Sequence, residues 1–278
     1  QPSLLDLAAA HQTHKLSKAV SRGIAKELQD GRRYQGSLDL SFFATLYSMV
    51  FNPAAEYQDL KFVRNLLVFT FLGFGIQRSQ SAVINSTVKR SMQRLQTNKR
   101  VLLRKHVRSD SDRYAIWWAL THSKGDPFGH RKGKDRLDWT VTAGCQSNDH
   151  FVDPVALYKL YCRLMGFDDD VSSKRYQRQQ DLPFFQELDK RGKPNGKPLE
   201  YNTILYELKA TIKLHFPALD AADYATHSFR RFGATLAKCR GLPDDLTQHM
   251  GRWVSDCFQR YFMFSDDDKT DMNKSLLS

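Results

Sequence analysis

The stretch THSFRRFGATLA, residues 226–237, carries the side chains of this sequence that are best suited to chemistry. His227 and Arg230 are three residues apart, so on a helix they project from one side. The neighbouring side is apolar, with Phe229, Phe232 and Leu236 facing a core. A planar guanidinium and an imidazole displayed together at the start of a helix can hold a phosphate group. We therefore predict an anion site at this helix.

Two segments, one on each side of that helix, carry further polar and aromatic side chains. Upstream, the segment FLGFGIQRSQS places Arg78 after an apolar helix and two glycines. Downstream, the segment MGRWVSDCFQRYF contains a turn at Gly251, then Trp253, then a predicted helix that carries Tyr261. Tyr261 could also be part of an apolar stripe with its neighbouring phenylalanines.

A basic loop lies between two predicted strands. The loop SKGDPFGHRKGKD contains Lys124, Lys132 and Lys134, and Lys124 ends the first strand beside Gly125.

In chain order, the sequence offers an arginine, a hairpin lysine, the pattern HxxR, the pattern GxW and a C-terminal tyrosine. This series resembles the catalytic domain of the tyrosine recombinase (phage integrase) family, and its ending is most similar to the recombinases of eukaryotic crypton-type mobile elements. The resemblance covers about residues 38–264, and residues 227–261 are its most specific part. Family members often carry an acidic residue three positions after the first arginine, where this sequence has Ser81.

The resemblance implies a role for each residue of the series. Arg78 and Arg230 would clamp the scissile phosphate, and His227 would donate to it or move a proton. Trp253 would donate its indole N–H to the phosphate from the position where many family members have a second histidine, and Arg252 is the alternative for that position. Tyr261 would be the nucleophile that forms a 3′-phosphotyrosine bond. Lys124 would protonate the leaving 5′-oxygen, with Lys132 and Lys134 as alternatives. Fixed cations lower the barrier because negative charge builds up on the phosphate oxygens. Such a site needs no metal, no ATP and no other cofactor.

The charge distribution favours double-stranded DNA as the partner. The net charge is +12, and residues 89–108 contain eight basic residues and no acidic one. A polyanion is the partner expected for such a chain, and no membrane segment accompanies the charge. The predicted phosphate contacts are Lys89, Arg90, Arg94, Lys99, Arg100, Arg104, Lys105, Arg131, Lys132 and Lys134.

Hydrophobic periodicity predicts a mainly α fold with a small antiparallel β-sheet, an α+β class. Helices are predicted over 4–29, 38–51, 58–73, 79–96, 154–165, 201–215, 226–240, 243–250 and 255–264. Strands are predicted in the segments RVLLRKH, YAIWWALTH and RLDWTVTA, and residues 166–200 are predicted to be a polar connection. No internal repeat is present.

We expect three parts of the chain. Residues 1–36 are a helix or linker, interpreted as the remnant of a DNA-clamping domain that is truncated or absent. Residues 37–264 are the catalytic domain, and residues 265–278 are a tail that the resemblance suggests docks into a neighbouring subunit. The family assembles as a tetramer on two DNA sites, so we expect a homo-oligomer on DNA and a monomer or dimer without it.

The leading hypothesis is a recombinase or integrase of a mobile element that cuts and rejoins DNA. The alternatives are a domesticated DNA-binding protein without catalysis and a type IB topoisomerase that relaxes supercoils. The four cysteines are widely spaced and predict a reducing compartment. We expect the nucleus, or the cytoplasm if the source is prokaryotic.

Overall fold

The computed structural model describes residues 36, 38–52, 59–84, 101–120, 138–144, 152–253 and 259. All of them except residue 36 belong to one compact unit, Ser37–Ser278. The predictions for residues 1–35, for the basic loop and for the segment around Tyr261 lie outside the described residues. Within them, no helix has the length and apolar character needed to cross a membrane.

Seven α-helices form most of the described structure. In chain order they are α1 (Leu40–Phe51), α2 (Leu60–Phe74), α3 (Pro154–Met165), α4 (Lys174–Gln179), α5 (Tyr201–His215), α6 (Thr226–Cys239) and α7 (Asp244–Gly251). Short 3₁₀ turns occur at Ser79–Ser81, Arg104–His106 and Ala221–Asp223.

Local capping explains where several of these helices begin and end. Asp39 and Asp59 accept backbone N–H groups at the starts of α1 and α2. Asp153 does the same for α3, which has Pro154 in its first turn and ends at Gly166 in the left-handed conformation. These signals are local, and the predicted bounds of α3 are confirmed to the residue.

A three-stranded antiparallel sheet packs against the helices. Its strands are β1 (Val107–Asp110), β2 (Ala115–Leu120) and β3 (Asp138–Ala143), in the order β1-β2-β3. The buried face carries Val107, Ile116, Trp118 and Leu120. The Trp118 ring lies 4.4 Å from the ring of Phe71 on α2, centroid to centroid, which joins the sheet to the helical core.

Aromatic contacts hold α1, α2 and α6 together. The ring of Phe229 on α6 stacks on Phe69 of α2 at 4.7 Å between centroids. Phe232, one turn later, lies 4.8 Å from Phe43 of α1. Both α6 side chains are at most 3% exposed, so the apolar side predicted for this helix is confirmed. The apolar side of α6 fixes the direction in which the polar side points.

The fold class is confirmed, and three local predictions are wrong. RVLLRKH is not a strand in its described part: Arg104–His106 is a 3₁₀ turn and the strand begins at Val107. The described start of the helix predicted over 79–96 is a 3₁₀ turn, and Ile84 pairs with Glu200. The connection over 166–200 contains α4 and a two-stranded sheet, β4 (Gln186–Leu188) with β5 (Pro194–Pro198).

Candidate active site

A pair of glycines lets α2 and α6 touch backbone to backbone. A Cβ atom built on Gly233 of α6 would lie 2.0 Å from the carbonyl oxygen of Gly73 on α2. No side chain fits in that space, so glycine is required at position 233. The contact brings the C-terminal end of α2 against the middle of α6, one turn away from Arg230.

The turn that follows α2 carries Arg78 and is bent at an unusual residue. Ile76 has φ +53°, a left-handed conformation that is rare for a β-branched side chain and costs about 1 to 3 kcal/mol. Its side chain is 2% exposed and packs with Ala234, Ala237 and Trp253. This packing holds the strained turn in place, and the chain leaves it through Gln77 towards Arg78.

Gln77 ties the same turn to the end of α7. Its side-chain nitrogen donates to the carbonyl of Gly75 at 2.5 Å and to the carbonyl of Met250 at 2.9 Å. The residue is 1% exposed. The turn before Arg78 is therefore held on two sides, by α6 and by α7.

Arg230 lies where these three elements meet and is 1% exposed. Its Nη1 donates to the carbonyl of Ile76 at 2.9 Å, and its Nη2 donates to the carbonyl of Gly251. The centre of the guanidinium lies 3.9 Å from the ring centroid of Trp253. A buried guanidinium with directed hydrogen bonds and a stacked ring is fixed in position. Arg230 therefore joins the α2 turn, α6 and the end of α7.

The Trp253 ring can lie over Arg230 because Gly251, two residues earlier, has no side chain. A Cβ on Gly251 would lie 1.7 Å from Cζ3 of the Trp253 ring, so the ring packs directly on the glycine backbone. Arg252 between them has φ +54° and caps α7, with its backbone N–H donating to His249. The side chain of Trp253 is 6% exposed, whereas that of Arg252 is half-buried.

The start of α6 is exposed at His227 and lacks a side-chain cap. The N-cap residue is Ala225, which has no side-chain acceptor for the first N–H groups of the helix. His227 is exposed, while the preceding Thr226 is 1% exposed, and its hydroxyl has no hydrogen-bond partner among the described residues. The positive end of the helix dipole and these N–H groups favour an anion at this point.

Arg78 differs from Arg230 in its surroundings. Its side chain is half-buried, and it makes no hydrogen bond or ion pair with the described part of the chain. Its guanidinium can therefore contact a ligand without losing a bond within the described structure. Described contacts hold Arg230 in place, whereas the side chain of Arg78 has no such contact among the described residues.

The structure brings part of the predicted series together and corrects one DNA contact. Arg230, Trp253 and the turn leading to Arg78 meet at one point, and His227 lies one turn before Arg230 on α6. Arg104 does not face solvent: it is 1% exposed and bonds the carbonyls of Val107 and Asp168 and the carboxylate of Asp169. It therefore stabilises the fold and is wrong as a phosphate contact.

The remaining predicted residues divide into two groups. Lys105 is exposed and pairs with Asp181 at 2.6 Å. The other members lie outside the described residues and stay predictions: Lys89, Arg90, Arg94, Lys99, Arg100, Lys124, Arg131, Lys132, Lys134 and Tyr261.

Four residues of the site escaped prediction from the sequence. Gln77, Gly73, Gly233 and Thr226 position Arg230 or lie beside it, and none has a catalytic residue type. The glycine in HSFRRFG, three residues after Arg230, is a usable signal, because a helix-interior glycine costs about 1 kcal/mol and needs a packing reason.

No family model matches this chain, and no curated protein matches it. Among solved structures it is similar to the XerH site-specific recombinase bound to palindromic difH substrate, with 12% identity and a TM-score of 0.47 over 87% of this chain and 53% of that one. It is also similar to the FLP recombinase in a Holliday-junction complex, with 13% identity, a TM-score of 0.45, and 96% and 55% coverage. A third similar structure is the Tn1549 transposon integrase in complex with circular-intermediate DNA. It has 11% identity and a TM-score of 0.45, over 88% of this chain and 67% of that one.

The chain thus spans about half the length of the first two structures. Because all three TM-scores lie below 0.5, the function is inferred from the side chains of this chain. The described residues offer positive charge suited to an anion such as a phosphate, from Arg78 after the α2 turn, from the uncapped start of α6 beside His227, and from the fixed guanidinium of Arg230.

Proposed function

We propose that this protein cuts and rejoins DNA strands through a covalent bond between Tyr261 and the 3′-phosphate, as a recombinase or integrase of a mobile element. The observation that supports this proposal is the position of Arg230. Its guanidinium contacts Ile76, two residues before Arg78, and also Gly251 and Trp253. The predicted patterns HxxR and GxW, which are far apart in the chain, thus have members in contact at this guanidinium, and Ile76, which contacts it too, lies two residues before the predicted Arg78.

The described residues can stabilise the charge that forms on the phosphate. When a hydroxyl attacks a phosphodiester, negative charge grows on the non-bridging oxygens. Arg78 would contact these oxygens directly, because its guanidinium has no described partner to give up. His227 would donate to the same group, and Arg230 would provide a fixed positive charge that needs no reorganisation during the reaction.

The covalent steps belong to residues outside the described part. The Tyr261 phenol would give up its proton, with His227 as the group that helps to move it, and its oxygen would form a bond to phosphorus as the bond to the 5′-oxygen breaks. Lys124 would give the leaving 5′-oxygen a proton. In the reverse direction, a 5′-hydroxyl would attack the phosphotyrosine, lose its proton and release the Tyr261 phenol. The phosphodiester energy is kept in the intermediate, so rejoining needs no ATP.

The test is covalent trapping on a nicked suicide DNA substrate that carries the cognate site, in the presence of EDTA. Wild type should give a covalent protein–DNA band, and Tyr261→Phe should give none. Arg78→Ala should reduce the rate by about 100-fold or more, because one fixed cation at a transition state is worth several kcal/mol. A band with Tyr261→Phe, or none with wild type, contradicts the proposal.

The same protein separates the proposal from its alternatives. Relaxation of a supercoiled plasmid without exchange between two sites would indicate a topoisomerase. DNA binding that leaves every substrate uncut would indicate a DNA-binding protein without catalysis. Strand exchange between two sites, with a mass of four chains on the paired DNA, is the result expected for a recombinase that acts as a tetramer.

A further inference from the structure

The outer face of the three-stranded sheet carries two tryptophans that the proposed chemistry does not use. Side chains alternate along β2 and β3, so Trp117 and Trp139 point away from the face that buries Trp118. Trp139 is 38% exposed and Trp117 is half-buried. Two large aromatic rings side by side on the outer face of a sheet form a candidate binding surface.

Each of these tryptophans has an arginine against it. The guanidinium carbon of Arg108 lies 4.5 Å from the ring centroid of Trp139, and that of Arg113 lies 5.8 Å from the ring centroid of Trp117. Arg108 is on β1 and Trp139 on β3, so this contact crosses β2, where the small side chain of Ala119 is paired with Trp139. Asp110 lies on the same side: it accepts the indole N–H of Trp117 at 3.3 Å, and its carboxylate is 4.0 Å from the guanidinium of Arg113. Among the described residues, the face therefore combines two aromatic rings with two guanidinium groups and a carboxylate.

The register sets the spacing of the two rings. Trp117 is paired with Val141, and Trp139 is two residues before Val141 on the same strand. The two tryptophans are therefore diagonal neighbours across an antiparallel pair, about 7 to 8 Å apart. Two rings at this separation can each stack on one of two neighbouring bases, as aromatic residues on open sheet faces do with single strands.

The described contacts favour a nucleic acid over an acidic protein, because Arg108 and Arg113 each lie against a tryptophan ring. An acidic protein would use the guanidinium groups but not the rings. Unpaired nucleotides use both, with rings under the bases and cations near the phosphates.

We propose that this face, formed by Arg108, Arg113, Trp117 and Trp139, binds single-stranded DNA by stacking unpaired bases on the two tryptophans. The bases of duplex DNA are stacked on each other and cannot stack on the tryptophan rings, so the ligand is an unpaired strand. The proposal rests on the proposed function only for the source of that strand, which would be the free 5′-end released by cleavage.

The experiment measures binding of a short fluorescein-labelled oligodeoxythymidylate to the full chain with Tyr261→Phe, which removes covalent capture. Trp139→Ala and Trp117→Ala should each weaken binding by roughly 5-fold to 100-fold. Trp139→Phe should keep most of the affinity because it keeps an aromatic face. The matched control is Tyr206→Ala, since Tyr206 is a 70% exposed aromatic residue on α5, outside the sheet. Its affinity should equal that of the parent.

Three outcomes would overturn the proposal. They are unchanged binding in both tryptophan variants, equal competition by duplex DNA of the same length, and tighter binding of the matching RNA. Thermal unfolding of each variant shows that it is folded. Suicide-substrate trapping, run with Tyr261 in place, tests the proposed function separately. Tryptophan-dependent binding without trapping would refute the cleavage proposal and leave this one standing.

Discussion

Replacing Gly233 with alanine tests whether the contact between α2 and α6 positions the site. The new Cβ would lie 2.0 Å from the Gly73 carbonyl oxygen, whereas ordinary contact begins at 3.4 Å, so the helices must separate by about 1.4 Å. The contacting atom is backbone, which cannot rotate away. The separation would carry Ile76, at the end of the same turn, away from Arg230.

The magnitude follows from three contributions. Forced separation of packed helices costs about 1 to 3 kcal/mol. Moving the Ile76 carbonyl by more than 1 Å from the 2.9 Å position breaks its hydrogen bond with Arg230, a loss of about 1.5 to 3 kcal/mol for a charged donor. Alanine's higher helix propensity returns about 1 kcal/mol. We expect a net loss of about 2 to 5 kcal/mol in the free energy of unfolding.

Urea unfolding of Gly233→Ala beside wild type measures this loss, and Gly73→Ala is the matched control. A Cβ on Gly73 would meet the ring edges of Phe43 at 2.9 Å and Phe232 at 3.2 Å, and side chains can shift where a carbonyl cannot. The control should therefore lose about 1 kcal/mol or less. The rate of covalent trapping should fall sharply in Gly233→Ala but not in Gly73→Ala. If the two variants are equally stable and equally active, the glycine contact does not position Arg230.

Three further predictions concern the same unit. Arg78→Ala should change the free energy of unfolding by less than about 1 kcal/mol, while Arg230→Ala should lower it by about 3 kcal/mol or more. The reason is that, of the two arginines, Arg230 is the one with buried hydrogen bonds among the described residues. Urea unfolding of the two variants measures the difference. Burial lowers the pKa of His106 from 6.5 to about 4. As the pH falls, the imidazole is therefore protonated in the unfolded chain before it is protonated in the folded one, so the free energy of unfolding should fall by up to about 3 kcal/mol between pH 6.5 and pH 4. In His106→Gln this decrease should be smaller. An equal decrease in both proteins would show that His106 is not its source. Gly251→Ala should push the Trp253 ring off the guanidinium, which tryptophan fluorescence would report as a shifted emission maximum; an unchanged spectrum would mean that the ring has another resting place.

Local signals made several elements predictable from the sequence. The bounds of α3 follow from Asp153 and Pro154 before it and Gly166 after it, and α5 was predicted over 201–215 as observed. The errors occur where distant chain segments pair. The backbone N–H of Arg104 donates to Leu182, and Ile84 pairs with Glu200, so both segments depart from their predicted strand or helix.

The small sheet of β4 and β5 was missed for a related reason. β5, Pro194–Pro198, has the sequence PNGKP, which contains no β-branched or aromatic residue and is mostly exposed. It is held in part by the side chain of Gln186, which accepts the backbone N–H of Gly196 at 3.0 Å. Nothing in the local sequence of β5 indicates that contact.

The sequence indicated which residues to examine but not their geometry. The pattern HxxR predicts a phosphate-binding pair, and the apolar side of α6 indicates which way the helix faces. The sequence could not show that Arg230 would be 1% exposed and bonded to Ile76 and Gly251, because these acceptors are backbone carbonyls that any residue provides. Contacts through the backbone leave no signature in residue types.

Three features of the site cost stability, and they meet at one place. Ile76 is held in a left-handed conformation, the charge of Arg230 is removed from water, and Gly233 puts a flexible residue in the middle of a helix. A hydrophobic residue at position 230 and a turn bent at a glycine would avoid the first two costs. A core optimised only for stability has no reason to combine them, whereas a site that must hold a guanidinium at a fixed position has a reason to bury the charge and bring the two helices close together. Their coincidence is therefore an argument for function that is independent of residue order along the chain.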